Sequence, residues 1–424
     1  MSRILMINEY SSTPATGMGG RTHYLSRELA RLGHEVTVIA ARHHHLLRDD
    51  ASDTPLPDEE MVDGYRFLRI AVPRYAHAHD KRRILAWFTF AWRLARFDLG
   101  KIGRPDVILY SSPSLVGFLG AERLARRCGA RLVFEVRDIW PLTLMEIGGY
   151  SQRHPFIRFL QWVEDRAYRV SDAVVSNAEG SVSHMTTCGM NPEKFTWVAN
   201  GFLHEEVTRR DPLPIDLAAQ LPKNTFIVGY TGTLGAANSM ETLLEAAKLL
   251  KNADDVSFVI VGKGRSEPEL RSFVERHALA NVHFLEPIPK KQIQSMLATF
   301  DACFIGWRNS TLYRVGVAAN KIYDYLYSGK PILHSYSGAY DPVQTYNAGI
   351  SVEAENPAAL AAAILKLRDM PESERRRLGE NGHRAALEHF EYGILARKLE
   401  HVLVADDRAD AVVPGDGHAS PSGT

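Results

Sequence analysis

The sequence predicts an α/β protein made of two parallel-sheet halves of similar size. Three observations carry that expectation. Short apolar runs alternate with longer amphipathic stretches along most of the chain, as in strands joined by crossover helices. The alternation breaks once, near residue 210, at a segment rich in proline and charge, TRRDPLPIDLAAQLPKN (208–224). The 424 residues are also enough for two domains with separate cores and no disulfide or metal staples.

In the first half, residues 3–7 (RILMI) read as a buried strand. A glycine-containing loop follows (9–21), then a helix with Leu25, Leu29 and Leu32 on one face and Gly33 after it. Residues 34–41 are the second strand, and further strands are expected at 65–70, 106–112, 131–137 and 172–177, with a helix over 81–97. The second half repeats the scheme with strands at 226–233, 256–262, 282–287, 302–307 and 331–335, and helices at 239–251, 267–277, 290–298 and 320–328. The expected organisation is an N-terminal domain 1–207, a linker 208–224, a C-terminal domain 225–385 and a terminal helix 386–404 that returns to the first domain. The polar stretch 405–424 has the composition of a disordered tail.

Lys+Arg and Asp+Glu both count 50, which argues against a nucleic-acid binder, since these carry a basic excess. The three cysteines, Cys128, Cys188 and Cys303, are widely spaced and odd in number. They indicate neither a disulfide framework nor a CxxC site, and a reducing compartment fits best. The opening apolar run is too short for a signal-peptide core, and no run of about 18 apolar residues exists to span a bilayer. The expected location is the cytoplasm, on the inner face of the membrane. Residues 66–104 carry ten basic side chains against two acidic ones. Within them, KRRILAWFTFAWRLARF (81–97) places Arg82, Arg83 and Arg93 beside Trp87 and Trp92. Cations next to large aromatics suit an anionic membrane surface and a membrane-borne acceptor; a core-facing helix with solvated arginines is the plainer alternative.

Parallel sheets bind ligands at the carboxyl ends of their strands. The loop holding Gly19 and Gly20 follows the first strand and precedes a helix, where backbone N–H groups and the helix dipole favour phosphate. It has neither dinucleotide nor P-loop spacing. The loop TGTLGAAN (231–238), with Gly232, Thr233 and Gly235, holds the equivalent place in the second half, and Lys263 and Arg265 follow another strand there. Two such loops facing each other across a cleft suit a phosphorylated donor; each reads equally as a tight turn. In STLYRVGVAANKIYDYLYSGKP (310–331), Arg314, Asn320, Lys321 and Asp324 cluster around a helix start. Cations there oppose the helix dipole and point to an anionic ligand. The run His43–His45 cannot direct three consecutive side chains at one ion from a strand, and no DxD motif suits a metal-bound pyrophosphate.

The segments GMGGRTHYLSRELARLGHEVTVIA, VRDIWP, VSDAVVSNAEG, VANGF, GYTGTLG, IVGKG and NKIYDYLYSGKPIL, in this order, resemble the retaining glycosyltransferases of family 4, whose GT-B fold sets two Rossmann-like domains across a cleft. Within that family the chain is similar to transferases of bacterial O-antigen and capsule synthesis, of the N-acetyl-fucosamine transferase type. The resemblance implies a nucleotide-sugar donor, UDP-linked by analogy, a saccharide or polyprenyl-linked acceptor on the N-terminal half, and no metal or other cofactor. It matches Asp324 to the second acid of an E-x7-E motif, which holds the ribose. Gly316 stands where the first acid is expected, and Arg137 stands where many relatives carry histidine. Arg137 remains protonated and cannot act as a base, so the expected roles are ligand binding by Arg137, orientation or acceptor contact by Asp138, and pyrophosphate stabilisation by Lys321 with Arg314 and Arg265. A nucleotide-sugar epimerase and a non-catalytic nucleotide- or glycan-binding protein are the competing readings.

Overall fold

The structure is a computed structural model describing residues 1–17, 19–48, 56–77, 80–316 and 318–404. The expected tail at 405–424 lies outside the described residues. Two sheets form, both with helices packed on their faces. The first contains β1 (Arg3–Ile7), β2 (Glu35–Ala41), β3 (Glu59–Val62), β4 (Tyr65–Ile70), β5 (Val107–Ser111), β6 (Arg131–Val136), β7 (Ala173–Ser176) and β8 (Phe195–Trp197), in the spatial order β3-β4-β2-β1-β5-β6-β7-β8. All its pairs are parallel except the β3–β4 hairpin. The second contains β9 (Phe226–Thr231), β10 (Val256–Val261), β11 (Val282–Leu285), β12 (Ala302–Gly306), β13 (Ile332–Ser335) and β14 (Gly349–Val352), ordered β11-β10-β9-β12-β13-β14 and wholly parallel. That is the doubly wound Rossmann order, whose direction reverses at β9/β12. The first sheet reverses in the same way at β1/β5.

The strands read from apolar runs are the central ones, where every residue of β5, β9, β10 and β12 is buried. The sequence reading omits β3, β8 and β14. Each is three or four residues long and none of their residues is fully buried, because an edge strand covers less apolar surface and leaves no continuous hydrophobic run. Leu25 and Leu29 are buried as expected, whereas Leu32 caps helix Gly20–Arg31 and is exposed.

The C-terminal region differs from the expected single helix. Helix Glu372–His389 ends, and helix Tyr392–Val404 begins after a break at Phe390–Glu391. The break lies on the segment that leaves the first lobe: Phe202 N donates to Phe390 O at 3.1 Å, and Tyr392 N donates to Phe202 O at 3.1 Å. A side chain at Gly201 would meet Phe390 O at 2.0 Å, so the crossing requires glycine there. The last helix packs on helix Gly20–Arg31 of the first lobe. His34 Nε2 pairs with Glu400 at 2.7 Å, and the Tyr24 and Tyr392 rings lie 4.8 Å apart. The 208–224 segment includes a short helix, Ile215–Ala218, and is held to the second lobe by Asp211 N donating to Lys291 O.

Candidate active site

The carboxyl ends of the two sheets border a crevice containing a cavity of about 370 Å³. The first lobe lines it with Arg137 and Asp138 after β6, the Ser176–Ala178 turn and Ser181 after β7, and Asn200. The second lobe contributes Trp307 after β12, Tyr313 of the short helix Thr311–Arg314, Gly316 of the loop after it, and Asn320 at the start of helix Asn320–Ser328. Arg137, Asp138 and Asn320, far apart in sequence, are thus brought together.

The Arg137–Asp138 turn is fixed from below. Ser112 Oγ accepts from the backbone N–H of Arg137 at 2.9 Å. Glu135, two residues earlier, is buried in an ion pair with Arg21, with 2.9 Å from Nε to Oε1. Arg21 also donates to the carbonyl oxygens of Ala199 and Val198 and to Asn200 Oδ1. Burial pushes the Glu135 carboxyl up, but the charges of Arg21 and then Arg137 outweigh it and leave the pKa below its usual value. Asp138 is exposed at the cavity wall yet has protein around most of it. Desolvation raises its carboxyl above the ordinary value, and Arg137 opposes that rise.

Asn200 joins the lobes. Its Nδ2 donates to Ala318 O across the crevice at 2.8 Å while its Oδ1 accepts from Arg21. A second close approach explains the unusual residue at 316. Gly316 has φ +135°, and a side chain there would meet the Ala178 Cβ at 3.0 Å. Gly180 reciprocates, since its Cβ would lie 2.6 Å from Val315 O. A glutamate at 316 would have to adopt a strained backbone conformation against the opposite lobe.

Lys321, next to the cavity-lining Asn320, is not itself among the lining residues; its side chain reaches the second glycine loop. Its Nζ donates to the Tyr230 hydroxyl at 2.6 Å and to Asn238 Oδ1 at 2.7 Å. A Cβ at Gly232 (φ +145°) would lie 3.0 Å from that nitrogen. Desolvation lowers the Lys321 pKa to about 7, and none of the ion pairs found among the described residues involves it. Gly232, Thr233 and Gly235 are interlocked with the Lys263 turn: Gly232 N donates to Val261 O and Leu234 N to Lys263 O. The turn must have glycine at 262, where a Cβ would meet Gly232 O at 1.9 Å.

The other expected site residues are placed less directly. Asp324 lies nearly one turn beyond Lys321, is buried, and pairs with Lys290 Nζ. Lys263 is exposed and pairs with Glu286, and Arg265 is exposed beside it. Arg314 is exposed and donates to Asn309 Oδ1 within its own loop. Gly19 and Gly20 both have positive φ and introduce helix Gly20–Arg31 directly before Arg21. None of these lines the 370 Å³ cavity.

The expected membrane set divides. Helix Arg82–Ala95 buries Trp87, whose Nε1 donates to the Tyr10 hydroxyl. The Arg83 guanidinium stacks over Tyr10, Trp87 and Trp140. These two side chains therefore belong to one aromatic cluster with Tyr10 and Trp140 and not to the outer face, because positions 83 and 87, four residues apart, share one face of the helix. Trp92 is exposed, with Arg96 stacked over it at 4.7 Å, and Leu85 and Phe88 are exposed alongside. Arg82 and Arg93 are also exposed.

The sequence reading omitted Arg21, Asn200 and Trp307 as site residues. Asn200 lay within the VANGF segment, but its bridging role depends on a carbonyl 118 residues away. Trp307 is positioned by His334, whose Nε2 accepts from the indole at 3.1 Å while its Nδ1 faces Asp341 Oδ1 at 2.8 Å.

Known proteins share both lobes. Residues 16–201 match the family model of the glycosyl transferase 4-like domain, and residues 225–369 match that of glycosyl transferases group 1. The chain is 24% identical over 420 residues to an MMP alpha-(1->4)-mannosyltransferase of Mycolicibacterium hassiacum, covering 93% of this chain and 96% of the relative. It is 25% identical over 294 residues to WcaI of Escherichia coli K12, a protein named for colanic acid biosynthesis glycosyl transfer, covering 66% of this chain and 71% of the relative. Among solved structures, the sucrose-phosphate synthase of Thermosynechococcus elongatus superposes with a TM-score of 0.73 at 17% identity, covering 95% and 98% of the two chains. Anabaena HepE in complex with UDP-glucose superposes at 0.63 and 15% identity, covering 95% and 99%. With a glycosyl transferase 4-like domain in one lobe and a group 1 domain in the other, the chain belongs to the GT-B glycosyltransferases.

Proposed function

We propose that this protein transfers a sugar, with retention of anomeric configuration, from a UDP-linked donor to a saccharide or lipid-linked saccharide in cell-surface polysaccharide synthesis. The observation that carries the reading is Lys321: a half-buried ammonium held by two neutral oxygens against the Gly232 loop, beside the interlobe crevice. A diphosphate is the partner such a nitrogen lacks. Breaking the anomeric C–O bond builds negative charge on the leaving phosphate, and a preorganised cation with loop N–H groups stabilises that charge more in the transition state than in the ground state. Arg137 and Asp138 stand on the opposite wall of the crevice, where Arg137 binds an oxygen of the donor or acceptor and Asp138 orients the acceptor hydroxyl. With no carboxylate assigned as nucleophile, the acceptor attacks from the face the phosphate leaves, and the departing phosphate oxygen takes its proton. Asp324 binds the ribose after exchanging Lys290 for it.

UDP is favoured because the similarly folded HepE was solved with UDP-glucose, and a surface-glycan role because WcaI is named for colanic acid biosynthesis. No helix among the described residues is long and apolar enough to cross a membrane. The face formed by Leu85, Phe88 and Trp92 with Arg82, Arg93 and Arg96 instead supports peripheral attachment to the inner, anionic leaflet. The test is a thermal-shift panel of UDP-, GDP- and dTDP-sugars, followed by NMR assignment of the product anomer. A shift confined to GDP-sugars would overturn the UDP assignment, an inverted product would overturn retention, and isomerisation of the donor without acceptor would make the protein an epimerase.

A further inference from the structure

On the outer side of the first lobe, helix Pro155–Val170 packs against the segment that begins with helix Ser181–Thr187. Three side chains of different donor type converge there. Glu164 comes from the first helix; His184 and Cys188 come from the second, four residues apart and so on one face. Cys188 Sγ lies 3.6 Å from His184 Nε2 and 4.0 Å from a Glu164 oxygen, and His184 Nε2 lies 3.6 Å from the other Glu164 oxygen. We propose that Glu164, His184 and Cys188 form a zinc site that clamps these two segments together.

The spacing matches the coordination chemistry. Zinc binds sulfur at about 2.3 Å and nitrogen or oxygen at about 2.0–2.1 Å, so tetrahedral ligand atoms stand roughly 3.3–3.6 Å apart. The Cys188–His184 and His184–Glu164 Oε1 separations, both 3.6 Å, meet that range; the 4.0 Å contact of Cys188 is to Glu164 Oε2, so a rotation of the carboxylate brings one oxygen toward both ligands, the three ligand atoms already lying within 4.8 Å of one another. One thiolate, one imidazole and one carboxylate make a mixed S, N, O set suited to zinc and poorly suited to magnesium or calcium, which prefer oxygen. Glu164 is also supported as a ligand needs to be: the Tyr168 hydroxyl donates to Oε1 at 2.8 Å and Gln161 Nε2 donates to Oε2 at 2.8 Å. Glu164 is buried while His184 and Cys188 are half-buried, so the group opens outward, and a water molecule completes the four ligands. Binding displaces the Cys188 thiol proton and any proton on His184 Nε2, both released to solvent.

This site is separate from the sugar chemistry, since none of its three residues lines the crevice cavity. It leaves the expectation of metal-free transfer untouched. Its structural connection to the crevice is indirect: Ser181, the first residue of the clamped helix, does line the cavity. Zinc would hold that segment in register against helix 155–170.

The test uses the full chain, stripped with EDTA and titrated with zinc or cobalt(II). Elemental analysis after desalting should show one zinc per chain. Cobalt should produce a thiolate-to-metal charge-transfer band that Cys188→Ser abolishes and Cys128→Ser retains. In case Cys188→Ser fails to fold, alkylation of the wild-type chain provides an independent reading. Peptide mapping should show zinc slowing iodoacetamide labelling of Cys188 by at least tenfold, and His184→Ala should remove the protection. Absence of stoichiometric zinc, a charge-transfer band that survives loss of Cys188, or labelling of Cys188 unaffected by zinc would each overturn the site.

Discussion

Lys321 Nζ donates to the Tyr230 hydroxyl at 2.6 Å and stands 4.3 Å from the centre of that ring. The contact joins the start of helix Asn320–Ser328 to β9, and it leaves an ammonium in an environment that disfavours its charge. Lys321→Met should therefore lower kcat by about 10²–10³-fold, the loss typical of one group stabilising transition-state charge, without lowering the melting temperature. Near-normal turnover would remove Lys321 from the mechanism.

The same lysine gives the protein a pH dependence with a defined sign. Its folded pKa is about 7, against an ordinary value of 10.5. Between those values the unfolded chain holds a proton that the folded chain releases, so this group's contribution makes stability fall as pH drops from about 10.5 toward 7. Urea titrations across that window should show a flatter profile for Lys321→Met. Diphosphate binding at pH 8 should also be accompanied by proton uptake, measurable by calorimetry in buffers of different ionisation enthalpy and absent in the variant.

Gly316→Ala places a side chain at φ +135° and 3.0 Å from the Ala178 Cβ. The expected loss is about 1–3 kcal/mol of stability by denaturant titration. Gly316→Glu should lower both stability and turnover instead of restoring a family-like acid. Higher activity in Gly316→Glu would show that the crevice can open at this contact without penalty.

The buried Arg21–Glu135 pair carries the Arg137 turn. Removing one partner, as in Arg21→Met, leaves an uncompensated charge and should cost about 3–5 kcal/mol. Glu135→Gln in the Arg21→Met background should recover part of that loss. A double-mutant cycle with no coupling would mean that Arg21 acts through the Val198 and Ala199 carbonyls and Asn200 Oδ1 instead.

Helix Arg82–Ala95 predicts opposite outcomes on its two faces. Trp87→Ala should destabilise the first lobe by about 3–5 kcal/mol, as expected for a buried tryptophan. Trp92→Ser combined with Arg82→Glu and Arg93→Glu should leave the melting temperature nearly unchanged and abolish flotation with anionic vesicles. Undiminished flotation of that triple variant would place membrane contact elsewhere.

Much of the architecture was readable from the residues alone. Central strands such as β5 and β10 are continuous apolar runs because both of their faces are covered, and the glycines at 232 and 262 mark strand-to-helix turns at the carboxyl edge. The order of the motifs was enough to anticipate two lobes and to single out Arg137, Asp138, Asn320 and Lys321. The edge strands β3, β8 and β14 were lost because half-exposed pairing leaves no pattern, whereas edge strand β11 was anticipated, and the break at Phe390–Glu391 was lost because a contact with Phe202 creates it.

What the sequence by itself determined is local: which segments are strands or helices, and which loops end at the ligand-binding edge. Periodicity records how one element meets solvent and core, and so it also registered the amphipathic character of residues 81–97. Only the tertiary structure decided which cations turn inward, as Arg83 does, which helix carries Lys321 to Gly232, and which residues meet across long separations, as Asn200 meets Ala318 and Glu164 meets Cys188. Those encounters depend on how whole elements pack, and a hydrophobic pattern specifies the face an element buries without naming the residue it buries that face against.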